Sequence, residues 1–100
     1  MFVDIVCGEL FVPNGFSPNG DGKNDLLEVY INKACVTNFS FLIFDRWGEK
    51  VFESTNINTS WDGTYKGKAL DNAVFVYDLK IVLINIDSDI TKKGNVSIIK

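Results

Sequence analysis

The stretch AVFVYDLKIVL, residues 73–83, decides the fold class because it sorts into two faces at every second residue. Ala73, Phe75, Tyr77, Leu79, Ile81 and Leu83 share one face with apolar bodies, while Asp78 and Lys80 fall on the other. A period of two belongs to a β-strand with one buried side, since successive side chains of extended backbone point to opposite faces. Outward from it, NFSFLIF (38–44) sets Phe39, Phe41 and Ile43 against Ser40, Leu42 and Phe44, and LLEVYI (26–31) sets Leu27, Val29 and Ile31 against Leu26, Glu28 and Tyr30. KVFES after Gly48 and NVSII after Gly94 are shorter strands bounded by turn residues. Helical spacing is found nowhere. Strands are therefore predicted near residues 2–6, 9–12, 26–31, 39–45, 49–53, 73–84 and 89–99. INIDSDI (84–90) supplies a hairpin tip between the last two, and DRWGEK (45–50) a tight turn at Gly48.

Seven or so short strands with turn signals between them read as an all-β fold, an antiparallel immunoglobulin-like β-sandwich of about seven strands, with a small barrel as the alternative. One hundred residues make a single domain, 1–100, that buries roughly two thirds of the surface its unfolded chain exposes. Hydrophobic residues at 46% suffice for a core, yet no apolar run approaches the roughly 18 residues of a membrane helix, so the chain is not expected to span a membrane. A net charge of −3 with no basic cluster argues against a nucleic-acid partner. The absence of histidine removes the commonest general base and zinc ligand, which argues against an enzyme.

PNGFSPNGDGKND (13–25) holds more turn chemistry than one reversal of direction needs. Asn19, Asp21, Asn24 and Asp25 place four oxygen-bearing side chains within seven residues, and Asp62 of WDGTYKGK (61–68) is an extra ligand if the fold brings it close. Calcium takes six to eight such oxygens. An EF-hand loop is nevertheless spoiled at Ser17, where an Asp is needed, and at Glu28, which falls in a strand. The competing reading is a set of Asx turns closed on their own backbone, so no cofactor is required. Trp47, Trp61 and Tyr65 lie in or beside loops, where they either stack on sugars or, the favoured reading for both tryptophans, cap the ends of the core. Arg46 is placed to pair with the Trp47 ring or with Asp45 or Asp62. Cys7 and Cys35 have neither redox-motif nor zinc spacing, leaving a structural disulfide or two buried thiols; a bridge would close a loop of about 28 residues and contribute about 3 kcal/mol. MFVDIVCGEL lacks a basic start and carries Asp4 within its apolar run, so it is no signal peptide; an exported parent would carry one upstream.

Five segments in order, FVPNGFSPNGDGKND (11–25), FLIFDRWGEKVFES (41–54), WDGTYKGKAL (61–70), VFVYDLK (74–80) and KKGNVSIIK (92–100), resemble the C-terminal sorting domain of the type IX secretion system. The resemblance is to the gliding-motility-associated, type B form of Bacteroidota. Two departures are Ala73, where that family usually has Gly in a positive-φ turn, and Phe44–Asp45, where it commonly has Tyr-Asn. The resemblance implies a sorting signal excised from a larger secreted parent, with cargo domains upstream. That parent would cross the inner membrane by its signal peptide, fold in the periplasm, be read by the outer-membrane translocon and its shuttle, and end released or attached at the cell surface. It also implies a Cys7–Cys35 disulfide. The surface expected to be read comprises Arg46, Trp47, Gly48, Trp61, Asp62, Gly63, Val96, Ile98, Ile99 and Lys100, with strand addition at Val96–Lys100 as one specific form. The alternative function is a carbohydrate- or calcium-binding module of a surface adhesin.

Overall fold

The computed structural model describes residues 10–18, 20, 25–84 and 89–99. Within them nine strands form: β1 (Leu10–Phe11), β2 (Gly15–Phe16), β3 (Tyr30–Ile31), β4 (Val36–Phe44), β5 (Lys50–Ser54), β6 (Thr64–Tyr65), β7 (Lys68–Ala69), β8 (Ala73–Leu83) and β9 (Ile90–Ile98). Apart from one 3-10 turn at Lys33–Cys35, capped by the Asn32 side chain, no helix occurs among the described residues, and the fold is all-β.

One five-stranded sheet, in the order β2-β9-β8-β4-β5, carries the molecule. Its centre is β8, whose burial alternates along its whole length as a one-sided strand must: Phe75, Tyr77, Leu79, Ile81 and Leu83 are buried, whereas Val74, Val76 and Lys80 are exposed. Phe39, Phe41 and Ile43 of β4 line the same inner face, in register with Ile81, Leu79 and Tyr77. The second layer is built from short pieces, the β1–β3 pair and the loop segments carrying Val12, Leu27, Val29 and Trp61, whose side chains join the same apolar cluster. Two layers around one core make a β-sandwich, and a main sheet in which β9, β8, β4 and β5 follow one another resembles the extended sheet of variable-type immunoglobulin domains.

Three expectations are corrected in detail. The sheet is not wholly antiparallel, because β2 runs parallel to β9, with Gly15 opposite Ser97 and Phe16 opposite Ile98. The strand expected at 26–31 pairs as a strand only at Tyr30–Ile31; Leu27 and Val29 keep the buried side of the alternation, but Leu27 bonds to Trp61 as an isolated bridge. The region from 54 to 72, read as loop, contains the β6–β7 hairpin, whose turn residues Lys66 and Gly67 both take positive φ, 53° and 80°, as a two-residue type I′ connection requires. Of the remaining strands, β4 begins three residues earlier than expected and the strand placed at 2–6 lies outside the described residues. The hairpin joining β8 to β9 pairs as expected, although 85–88 of its tip lie outside the described residues.

Gly94 of β9 faces Tyr77 of β8, and the phenol lies across the space a side chain would fill. Burial there raises the Tyr77 phenol above its ordinary value, because the charged form is poorly solvated. A Cβ at position 94 would stand 2.7 Å from Tyr77 Oη and 2.9 Å from Cζ. Gly94→Ala is therefore expected to lower unfolding free energy by about 1–3 kcal/mol, read as a reduced urea midpoint with unchanged m-value.

Candidate functional site

Trp61 is the largest fully buried side chain, 1% exposed, and it organises one end of the sandwich. Its backbone and that of Leu27 exchange two hydrogen bonds (2.8 and 3.0 Å), which ties the WDG loop to the segment leading into β3. Its ring meets Phe75 edge-on at 5.3 Å, Phe16 at 5.5 Å and Phe52 at 6.1 Å, while Nε1–H donates to the Thr64 carbonyl at 3.0 Å. The indole thus buries its apolar body and satisfies its one donor. Asp62 then turns the chain: its Oδ1 accepts from the Thr64 amide (3.1 Å) and hydroxyl (2.6 Å). Gly63 follows at φ +82°, close enough to the core that an added Cβ would lie 3.2 Å from Pro18, 3.4 Å from Ile98 and 3.4 Å from Phe16. Three segments distant in sequence, the turn-rich stretch before β3, the WDG loop and the last strand, therefore meet around Phe16, Gly63 and Ile98.

The second feature is the Asp45–Glu49 turn between β4 and β5. Asp45 Oδ1 accepts from the amides of Trp47 and Glu49, both at 2.9 Å, and its carbonyl accepts from Gly48, whose φ is +85°. A turn fixed by its own side chain holds its tip rigidly, and that tip is Trp47, 80% exposed with the Arg46 guanidinium 5.1 Å from its ring centroid. Beside it a groove of about 240 Å³ runs between this turn and the start of β8, lined by Arg46, Trp47, Asp71, Asn72 and Val74 among others.

A family model described as the CHU_C type IX secretion signal domain matches residues 10–98. The chain belongs to that family. No curated protein and no solved structure gave a match.

Within this type IX signal domain the residues expected to be read divide by exposure. Arg46, Trp47, Gly48, Asp62 and Ile99 lie on the surface. Trp61, Gly63, Val96 and Ile98 are buried in the folded chain, and Lys100 lies outside the described residues. Trp61 caps the core as anticipated, but Trp47 does not: it projects from the turn instead. The sugar platform of Trp47, Trp61 and Tyr65 is not assembled, since Trp61 faces inward and the Tyr65 hydroxyl donates to Glu49 at 2.9 Å. Within Val96–Lys100, the stretch expected to take an added strand, the amides of Ser97 and Ile99 donate to the carbonyls of Asn14 and Phe16, both at 2.9 Å.

Of the calcium set, Asn19, Asp21 and Asn24 lie outside the described residues. Asp25 Oδ1 accepts from the Gly20 amide at 2.9 Å, and no cluster of three or more metal-ligating His, Cys, Asp or Glu side chains occurs among the described residues. Cys35 is buried, and Cys7 lies outside the described residues. Ala73 opens β8 in extended conformation; the one non-glycine residue at positive φ among those described is Lys66, so this signal domain dispenses with a glycine there. The residue that sequence reading missed is Phe16, buried at 3% in a stretch otherwise made of turn residues. A lone aromatic between Gly15 and Ser17 was the available signal: one large apolar side chain in so polar a loop is an anchor.

Gly63 and Gly67 share a positive φ but not a neighbourhood, since a Cβ at Gly67 meets nothing within 4 Å. Gly67→Ala should cost about 1 kcal/mol from backbone strain alone, and Gly63→Ala about 1–2 kcal/mol more from crowding against Pro18, Phe16 and Ile98, measured side by side by denaturant unfolding.

Proposed function

We propose that this type IX signal domain directs a larger parent across the outer membrane by presenting a rigid folded surface to the translocon and its shuttle, after which the parent is released or held at the cell surface. The observation that carries the reading is the family match over residues 10–98. Such a family is defined by export, not by catalysis, and no helix among the described residues is long and apolar enough to cross a membrane. The geometry supports recognition through turns: Trp47 is a large aromatic held outward on a turn braced by Asp45, the kind of residue that contributes most at protein interfaces.

Two stabilising features belong to the same proposal. Cys7 pairs with Cys35, a reading supported by the burial of Cys35 and by the absence of a free cysteine among the described residues. Asp25 closes the turn-rich stretch on its own backbone rather than on a cation, a reading supported by its acceptance from the Gly20 amide.

Fused behind a signal peptide and a reporter, the chain is expected to deliver the reporter to the surface or medium of a host with type IX machinery and not of a translocon-deficient strain. Retention in both would overturn the sorting function. Trp47→Ala should leave stability within about 0.5 kcal/mol, as exposed substitutions do, yet cut export about tenfold. Thermal melting tests the two stabilising features together. Reduction should cost about 3 kcal/mol, whereas millimolar calcium and chelator should give the same midpoint. A rise with calcium but not magnesium would assign the ion to Asn19, Asp21, Asn24 and Asp25.

A further inference from the structure

Among the described residues β9 is an edge strand for most of its length. The short strand β2 covers it only at Ser97 and Ile98. Amides of a β-strand alternate in direction, and the Ser97 and Ile99 amides point to the β2 side. The β8–β9 register runs unbroken from Ala73↔Ile98 to Ile81↔Ile90, so the amides of Thr91, Lys93 and Asn95 point the same way. Among the described residues no strand pairs with them. The other edge, β5, is a poorer template: it is five residues long, follows a register shift at Ile43/Phe44, and carries a Lys50–Glu53 ion pair at 2.6 Å.

We propose that the edge Thr91–Asn95 of β9 receives an extended, acidic segment of the secretion machinery, which adds to the sheet as a strand in line with β2. This rests on the sorting function proposed above and moves the point of strand addition from Val96–Lys100, where the Ser97 and Ile99 amides are already bonded, to the stretch before it, which no described strand pairs. Two observations carry it. The first is continuity: β2 already shows that this edge accepts a parallel strand, and it stops after two residues. The second is charge: the open stretch bears Lys92 and Lys93, both exposed and neither in an ion pair among the described residues, whereas Lys80 is held by Asp89 at 3.2 Å. Lys92 is opposite Leu79 and Lys93 opposite Asp78, so the two lysines flank the edge on its two faces. Lysines at an edge repel a second copy of the same strand; to a strand carrying Asp or Glu they are attractive. Main-chain bonds supply the affinity of such an addition and the flanking charges supply its selectivity.

The edge allows a test that spares the fold. Lys93→Pro removes an amide that bonds nothing within the sheet, and proline is tolerated where the lost N–H faces outward on an edge strand. In the reporter fusion, Lys93→Pro should retain the wild-type melting point while export falls about tenfold or more, the loss of one ladder bond and its close approach. A second variant, Lys92→Glu with Lys93→Glu, should show the same loss without touching the backbone. Wild-type export by Lys93→Pro, or by the charge-reversed pair, overturns the proposal. Failure of the unmodified fusion to be exported overturns the sorting function itself, so the two failures are distinguishable. In the free chain, amide exchange should be fast at Thr91, Lys93 and Asn95 and slow at Ser97 and Ile99; slow exchange at all five would show the edge already covered and overturn the proposal. A wild-type dimer that Lys93→Pro converts to monomer would hand the edge to a second copy and overturn it as well.

Discussion

The structure depends on the burial of Trp61. An indole removes on the order of 200 Å² from water, about 5 kcal/mol at the usual coefficient, and here it does so at the junction of both layers. The reciprocal bonds to Leu27 fasten the second layer, whose strands among the described residues are two residues long, and the contacts with Phe75 and Phe52 fasten the five-stranded sheet. Short strand pairs are marginal by themselves. Val12, Leu27 and Val29 add to the contacts of the pieces covering β8 and β4, but Trp61 is the largest side chain that joins that cover to the sheet.

That division of labour explains what could be read from residues alone. Where one face is buried along many residues, alternation is decisive: β8, β4 and the β8–β9 hairpin were legible because Phe75, Tyr77 and Leu79 or Phe39, Phe41 and Ile43 leave no other arrangement. The cover was not legible as strands because its positions are set by contacts between distant segments. Leu27 and Val29 showed which side is inward, but nothing local says that Leu27 bonds to Trp61. The parallel β2 was hidden for the same reason, since Gly15–Phe16 lies inside a run of turn residues and pairs with Ser97–Ile98 at the other end of the chain. At the candidate site, the turn chemistry of Asp45 and Gly48 was local and readable. The exposure of Trp47 was not: two tryptophans in similar loops have opposite fates, and only the tertiary packing tells them apart.

The segments that carry the family resemblance turn out to have two distinct occupations. Phe16, Trp61, Gly63 and Ile98 build one end of the core, which requires small and large side chains to interlock. Arg46, Trp47 and the basic stretch of β9 lie outside it, on backbone that the core and the Asp45 cap make rigid. The proposed recognition of a folded surface needs both, because a recognised surface loses affinity when its elements must be ordered on binding.

The parallel course of β2 against β9 has a mechanical consequence. A pull applied to the β2 side in one direction and to the far end of β9 in the other would run along the strands, so the bonds from Ser97 to Asn14 and from Ile99 to Phe16 would be loaded together in shear. An antiparallel pairing at the same place would be peeled one bond at a time. The pairing is thereby a clasp that resists traction along the strands out of proportion to its short length.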